Sequence, residues 1–455
     1  MTEMKIIKYK KTSNGFSAET TGAEFLFIEQ NGHGEVHCTQ KIGVRRKIAV
    51  ITLSCPLQHL MCEEEGADYL LLHRSNPPDS GMMTIRINAD SMIEIENNRE
   101  LKVRLEVNLT PEYQVAEDGH FLYIDNTGGL GVYTLGSSRP YCASGVFKKK
   151  PVASFSLARR QKMLISVFPP RKYDSAAASG YRIVHHFEVN KPYPASKDIK
   201  NWSKWGNILV LHSTIWKGRL SGKKSENMST ADVYLDAPFA RKKITARNDA
   251  EFRRVIEDAH ACGMKLLPYL HPFDYPGTAN EFMDEVKKIC NEFNIDDLYY
   301  DGVSHEIMEA YTIMKETRAL LGMKLLYVHC PSPILGDINT SYFNGFYAYC
   351  PFIDTYADMM LRAEHMDTIE RHNLRYTVNG KNISNTIGFL CSYDYSVETV
   401  RKSVDLILAN DVRLPYWTGR WVGGEQINNE RPENDRKEEE LQKIMQKLYF
   451  LKLKN

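Results

Sequence analysis

Asp301 ends the short apolar run LYYD, and Gly302 follows it at once. A carboxylate at the end of an apolar strand is held by its backbone and can enter a cleft, where it can attack a carbon or move a proton. Comparable residues stand after other apolar runs: His212 with Trp216, Asp236, His271 with Asp274, His329, Asp354, and Trp417 with Trp421. Asp358 and Glu364 lie four and ten positions beyond Asp354. Hydrolysis of a glycosidic bond needs a pair of carboxylates. Tryptophans offer flat apolar faces for sugar rings, and histidines can hydrogen-bond hydroxyls. Each residue also has an ordinary alternative. Asp301 and Asp354 could cap the helices that follow them. Asp358 and Glu364 could be solvated or paired, His329 could be a satisfied core histidine, and the tryptophans could pack.

The elements that must position these residues alternate from Gly206 onward. Strands are expected at 207–212, 233–237, 265–270, 298–301, 325–329, 345–354, 386–391 and 412–417. Between them, apolar residues recur at helical spacing. Phe252, Val255, Ile256 and Ala259 mark a helix over 249–262 that Gly263 ends. Further helices are expected at 281–293, 303–321, 359–372, 397–410 and 436–453. Strand–helix–strand units pair in parallel. Eight of them over about 250 residues make a (β/α)8 TIM barrel, whose chemistry sits at the carboxyl ends of the strands. The candidate residues above would then share one rim.

Residues 1–190 read differently. Short alternating runs such as 24–29, 49–54, 69–73, 82–87, 92–96, 103–109, 121–124, 132–135 and 162–168 are separated by turn residues, among them Gly128-Gly129. That pattern predicts a β-sandwich. Residues 170–206 form a polar, proline-containing junction. The chain is therefore expected as a β-sandwich domain over 1–190 and a TIM-barrel catalytic domain over 191–455, closed by a C-terminal helix.

Composition narrows the function classes. The net charge is +1, which favours neither nucleic acid nor an anionic membrane as a partner. No apolar run reaches the roughly 18–20 residues that span a bilayer. The first residues lack the apolar stretch of a secretory signal, so the expected location is the cytoplasm, or outside it if a signal has been removed. The nine cysteines form no CxxC pair, which points to reduced thiols rather than to disulfides or zinc. There is no P-loop, GxGxxG, HExxH or GxSxG motif. No cofactor and no metal are expected.

Residues 206–425 resemble the retaining glycoside hydrolases of the α-galactosidase/α-glucosidase clan and related bacterial glycosidases. The resemblance rests on LYYDG around Asp301, FIDTYAD around Asp354 and the AHACGMKLLPYLHP helix–glycine–strand step before the nucleophile strand. It implies an N-terminal β-sandwich ahead of a TIM barrel, an aspartate nucleophile ending the fourth strand and an acid/base carboxylate after the sixth. The matching residues are Asp301 and Asp354, with Glu364 next. The Lys-x-Asp or Trp-x-Asp typical of the nucleophile is replaced here by Tyr299-Tyr300-Asp301. The expected function is a glycosidase acting on a carbohydrate, with His212, Trp216, His271, His329, Trp417 and Trp421 contacting the sugar. The alternative is a non-catalytic carbohydrate-binding or scaffold protein on a decayed barrel.

Overall fold

The computed structural model describes residues 7–13, 15–57, 60–66, 69–74, 82–117, 120–135, 142–147, 149–172, 180–186, 191–204, 206–217, 242–272, 275–303, 307–322, 324–329, 351–363, 387–390 and 416–418. Among them the strands fall into three eight-stranded sheets. Two are antiparallel and take in every strand up to Phe168, and the third, parallel throughout, begins at Ile183.

The first antiparallel sheet buries one face. The strand Leu101–Val107 turns Leu101, Val103, Leu105 and Val107 inward and Lys102 and Arg104 outward. Period-two burial of this kind marks a sheet with one face on a core and one in water. In the second sheet the strand Gly128–Leu135 is covered on both sides, and all eight of its positions are buried. The second sheet's Phe121, Val132 and Ile165 meet Phe25, Ile51 and Leu105 of the first sheet in one apolar core. Its Ile124, Tyr133 and Leu164 join a second core with the parallel sheet and its helices.

The parallel sheet runs in the order Ile387–Leu390, Met359–Ala363, Leu326–His329, Leu298–Asp301, Lys265–Leu270, Ile208–Leu211, Ile183–His186, Tyr416–Thr418. Neighbours in space are thus neighbours in sequence, except that the last strand lies beside the first. The helices Asp249–Ala261, Ala279–Phe293 and Ile307–Leu321 connect successive strands. Phe252, Val255, Ile256 and Ala259 form the buried face of the first of these, as their spacing predicts. Its cap is Asn248, whose side chain accepts from the Glu251 backbone N–H.

Three expectations are corrected. Ile183–His186, four residues within the stretch assigned to 1–190, is a strand of the parallel sheet and pairs with Ile208–Leu211 and Tyr416–Thr418. Gly128-Gly129 is no turn but the start of a strand, with Gly129 packed so closely under Phe168 and the Tyr123 carbonyl that a side chain would not fit. Around Asp354 strand and helix are exchanged: Pro351–Tyr356 is a helix, and Met359–Ala363 is a strand paired with Leu326–His329. Proline at the first helical position presets φ and needs no N–H partner. Asp358 then anchors the start of the strand, its Oδ2 accepting from the Leu326 N–H at 2.8 Å and from Arg318 Nη2 at 2.7 Å. Asp354 therefore precedes the sixth strand instead of ending it.

Candidate functional site

His212 directly follows the strand Ile208–Leu211, His271 directly follows Lys265–Leu270, and Asp301 and His329 end the next two strands of the parallel sheet. Asp301 and His329 occupy paired positions in the ladder. Gly302 then adopts φ 68°, a left-handed conformation that glycine accepts without strain, and its N–H donates to the His329 carbonyl at 2.8 Å. The backbone turns away at once and leaves Asp301 at the strand end.

Asp301 is 8% exposed, and its Oδ1 lies 2.6 Å from His329 Nδ1. Burial raises its carboxyl, but the His329 charge and hydrogen bond, helped by His271 and His212 nearby, outweigh burial and hold it well below the usual carboxylate range. A carboxylate only accepts hydrogen bonds, so Nδ1 of His329 carries the proton between them. Asp301 is thus an ionised carboxylate in a place where an unpartnered one would be protonated.

Beneath this pair the sheet is filled with aromatic rings. Tyr269, Tyr299 and Tyr327 follow one another across three strands, with ring centres 5.6 and 4.7 Å apart. His212 lies 4.3 Å from the Tyr269 ring, and His185 lies 4.9 Å from His212 and edge-on to Tyr299. Burial, with the neighbouring histidines, pushes His212 down to about 3 and His185 well below the ordinary value, so both rings are neutral near pH 7. Tyr300 faces the other way, toward the helices, and its Oη shares a hydrogen bond with Thr317 Oγ1 at 2.7 Å.

The structure brings Asp301, His329, His212 and His271 together. It does not place Trp216 with them as a sugar platform. Trp216 is 1% exposed, packs edge-on against Phe252 and donates its Nε1–H to the Tyr269 carbonyl. An indole buried in this way supports the strand end from behind. Asp236, Asp274, Glu364 and Trp421 lie outside the described residues, as do the side chains of Asp354 and Trp417. By register, Trp417 stands opposite His185. Sequence reasoning missed His185, because its four-residue strand was read as part of the junction. The pair His185-His186 was the available signal, since alternation sends the two rings to opposite faces. His186 faces outward, its Nε2 2.9 Å from the Lys191 carbonyl and its ring against Trp202. Among the described residues no group of three or more His, Cys, Asp or Glu side chains is arranged to hold a metal ion.

No protein-family model matches the sequence, and no curated protein matches it. Among solved structures the chain is similar to a noncanonic maltogenic α-amylase from Thermotoga neapolitana, at 13% identity and a TM-score of 0.38 over 60% of this chain and 77% of that one. It is also similar to an uncharacterised protein from Listeria monocytogenes, at 9% identity and a TM-score of 0.42, and to the cycloalternan-forming enzyme of that organism in complex with a pentasaccharide, at 9% and 0.41. Both of these likenesses cover 99% of this chain and 55% of the other, so the chain spans about half the length of the two Listeria proteins.

Proposed function

We propose that the chain is a glycoside hydrolase, with its reaction at the carboxyl ends of the parallel strands. The observation that carries this reading is the buried Asp301 carboxylate, kept ionised by His329 at 2.6 Å. A nucleophile for an anomeric carbon must be ionised, placed and shielded from water, and Asp301 meets these conditions. The strand order, with Tyr416–Thr418 beside Ile183–His186, supports closure of the sheet into a (β/α)8 barrel. In that barrel, His212 and His271 hydrogen-bond the sugar hydroxyls, and Trp417 and Trp421 supply its apolar faces.

A retaining mechanism needs a second, protonated carboxyl to assist the leaving group, about 5–5.5 Å from the first. Glu364 is our candidate, because it follows the strand Met359–Ala363 directly in sequence. Asp354 is set aside for that role, because it precedes the same strand.

The test is a hydrolysis screen of the full chain on aryl-glycosides and natural oligosaccharides. On any substrate that is cleaved, Asp301→Asn is expected to keep the fold and lose most turnover. Glu364→Gln is expected to lose a factor of about 10²–10⁴ on natural glycosides and much less on aryl-glycosides, whose leaving groups need little protonation. Near-wild-type turnover of Asp301→Asn removes the nucleophile assignment. The competing reading, a carbohydrate-binding protein without turnover, is favoured by the low exposure of Asp301 and His212, 8% and 4%. Saturable sugar binding with no hydrolysis of any substrate would decide for it.

A further inference from the structure

The outward face of the first antiparallel sheet carries a groove of about 420 Å³, far in sequence from Asp301. That volume falls in the range of roughly 300–1,000 Å³ common to ligand clefts. Its floor is the strand Leu101–Val107, and its polar lining follows from the ladder. Arg104 stands between Thr52 on one neighbouring strand and Ser154 on the other. Lys102 stands beside Ser156, and its backbone N–H donates to Ser54 Oγ at 3.0 Å. Among the described residues no carboxylate lines the groove. Glu106, two positions along the strand, accepts from Arg104 Nε at 2.9 Å, which leaves four of the five guanidinium N–H groups without an acceptor among the described residues. Among the described residues Lys102 makes no ion pair. The Arg104 guanidinium lies 5.7 Å from the ring of Phe147, which is itself 50% exposed.

We propose that this groove binds an acidic oligosaccharide, a short glycan carrying carboxylate or sulfate groups. Four hydroxyls that both donate and accept match a polyol. Beside Arg104, outside the lining itself, the exposed Phe147 ring offers an apolar face to a sugar that extends past the groove. Lys102, and the guanidinium N–H groups that Arg104 keeps beside its pair with Glu106, favour an anionic ligand. Alternate positions on a strand stand about 6.7 Å apart, so Lys102 and Arg104 meet two separate anionic groups along an extended chain. The whole molecule has a net charge of only +1, which argues against nucleic acid as the occupant. The site does not depend on the reading of Asp301.

Titration calorimetry on the full chain tests this with four probes: an oligogalacturonate, a heparin oligosaccharide, a maltooligosaccharide and single-stranded DNA. Binding is expected for at least one of the first two; binding of the oligogalacturonate shows that carboxylates suffice, and binding of heparin alone shows that sulfate is required. The double variant Lys102→Gln/Arg104→Gln should weaken it at least tenfold with an unchanged thermal midpoint, and Asp301→Asn should leave it intact. The proposal is overturned if neither acidic glycan binds, if the neutral glycan or DNA binds as tightly, or if the double variant keeps wild-type affinity. It is also overturned if Asp301→Asn abolishes binding, which would move the ligand to the strand-end site.

Discussion

Asp301 and the histidines around it respond to burial in opposite ways, and the difference is measurable. Asp301 keeps its charge because His329 lies 2.6 Å away. Replacing His329 by Phe leaves burial as the dominant influence, so the carboxyl should rise. On a proven substrate, the acid limb of the pH–rate profile should then move to higher pH. An unmoved limb would show that His329 does not hold the charge. The same variant should cost about 3–5 kcal/mol at neutral pH, as removing one partner of a buried ion pair does. His185 and His212 are buried and depressed, His212 from 6.5 to about 3. Below about pH 6.5 the unfolded chain binds protons at these positions that the folded chain refuses. Stability is therefore flat above that pH and falls as acid is added, by about 1.4 kcal/mol per pH unit for each ring. Asp301 adds a further loss below its ordinary 3.8, where the unfolded carboxyl protonates first. Urea titrations from pH 7 to 4 measure the slope, which His212→Gln should reduce; a flat stability curve between 6.5 and 4 contradicts the account.

Among the elements, the helix Ala279–Phe293 has the plainest local logic. Thr278 accepts from the Glu281 N–H at 3.3 Å, and Glu281 accepts from the Thr278 N–H at 2.8 Å, a reciprocal capping box. Asn294 in a left-handed conformation ends the helix. The spacing of Phe282, Val286, Ile289 and Phe293 made this helix legible without tertiary information, since one apolar face suffices. Thr278→Ala should cost about 1 kcal/mol in urea unfolding, with the fold unchanged. No loss would mean that water or the Glu281–Lys242 pair satisfies the helix end instead. The strand Met359–Ala363 and the helix before it were not legible in this way. Tyr356, Ala357, Met359, Met360 and Leu361 are all buried, so the run has no polar face to set a period.

At the scale of the molecule, the second antiparallel sheet is the shared layer. It packs on the first sheet through one face and on the helices of the parallel sheet through the other. Tyr311, on the helix Ile307–Leu321, crosses that boundary. Its Oη accepts from Asn88 Nδ2 at 3.0 Å and donates to Glu94 Oε1, while Lys315 lies 3.6 Å from the same carboxylate. Arg171 reaches Asp358 at 3.6 Å nearby. Tyr311→Phe keeps the ring and removes both hydrogen bonds, leaving Asn88 and Glu94 short of a partner. The expected cost is about 1–3 kcal/mol, read as an earlier unfolding transition and faster proteolysis. An unchanged midpoint would show that apolar contact alone joins the layers.

The sequence by itself determined the elements whose order is local. The strands Lys265–Leu270 and Leu298–Asp301 and the buried face of Asp249–Ala261 follow from short apolar runs, glycines and helical spacing. So does Asp301 as the carboxylate at a strand end. Only the tertiary structure decided that IVHH at 183–186 is a strand, because parallel partners come from distant sequence and four residues hold too little period to announce themselves. Only it moved Asp354 ahead of its strand and buried Trp216 behind the site. Only it joined Asp301 to His329, since two residues 28 positions apart become partners when parallel strands fix their register.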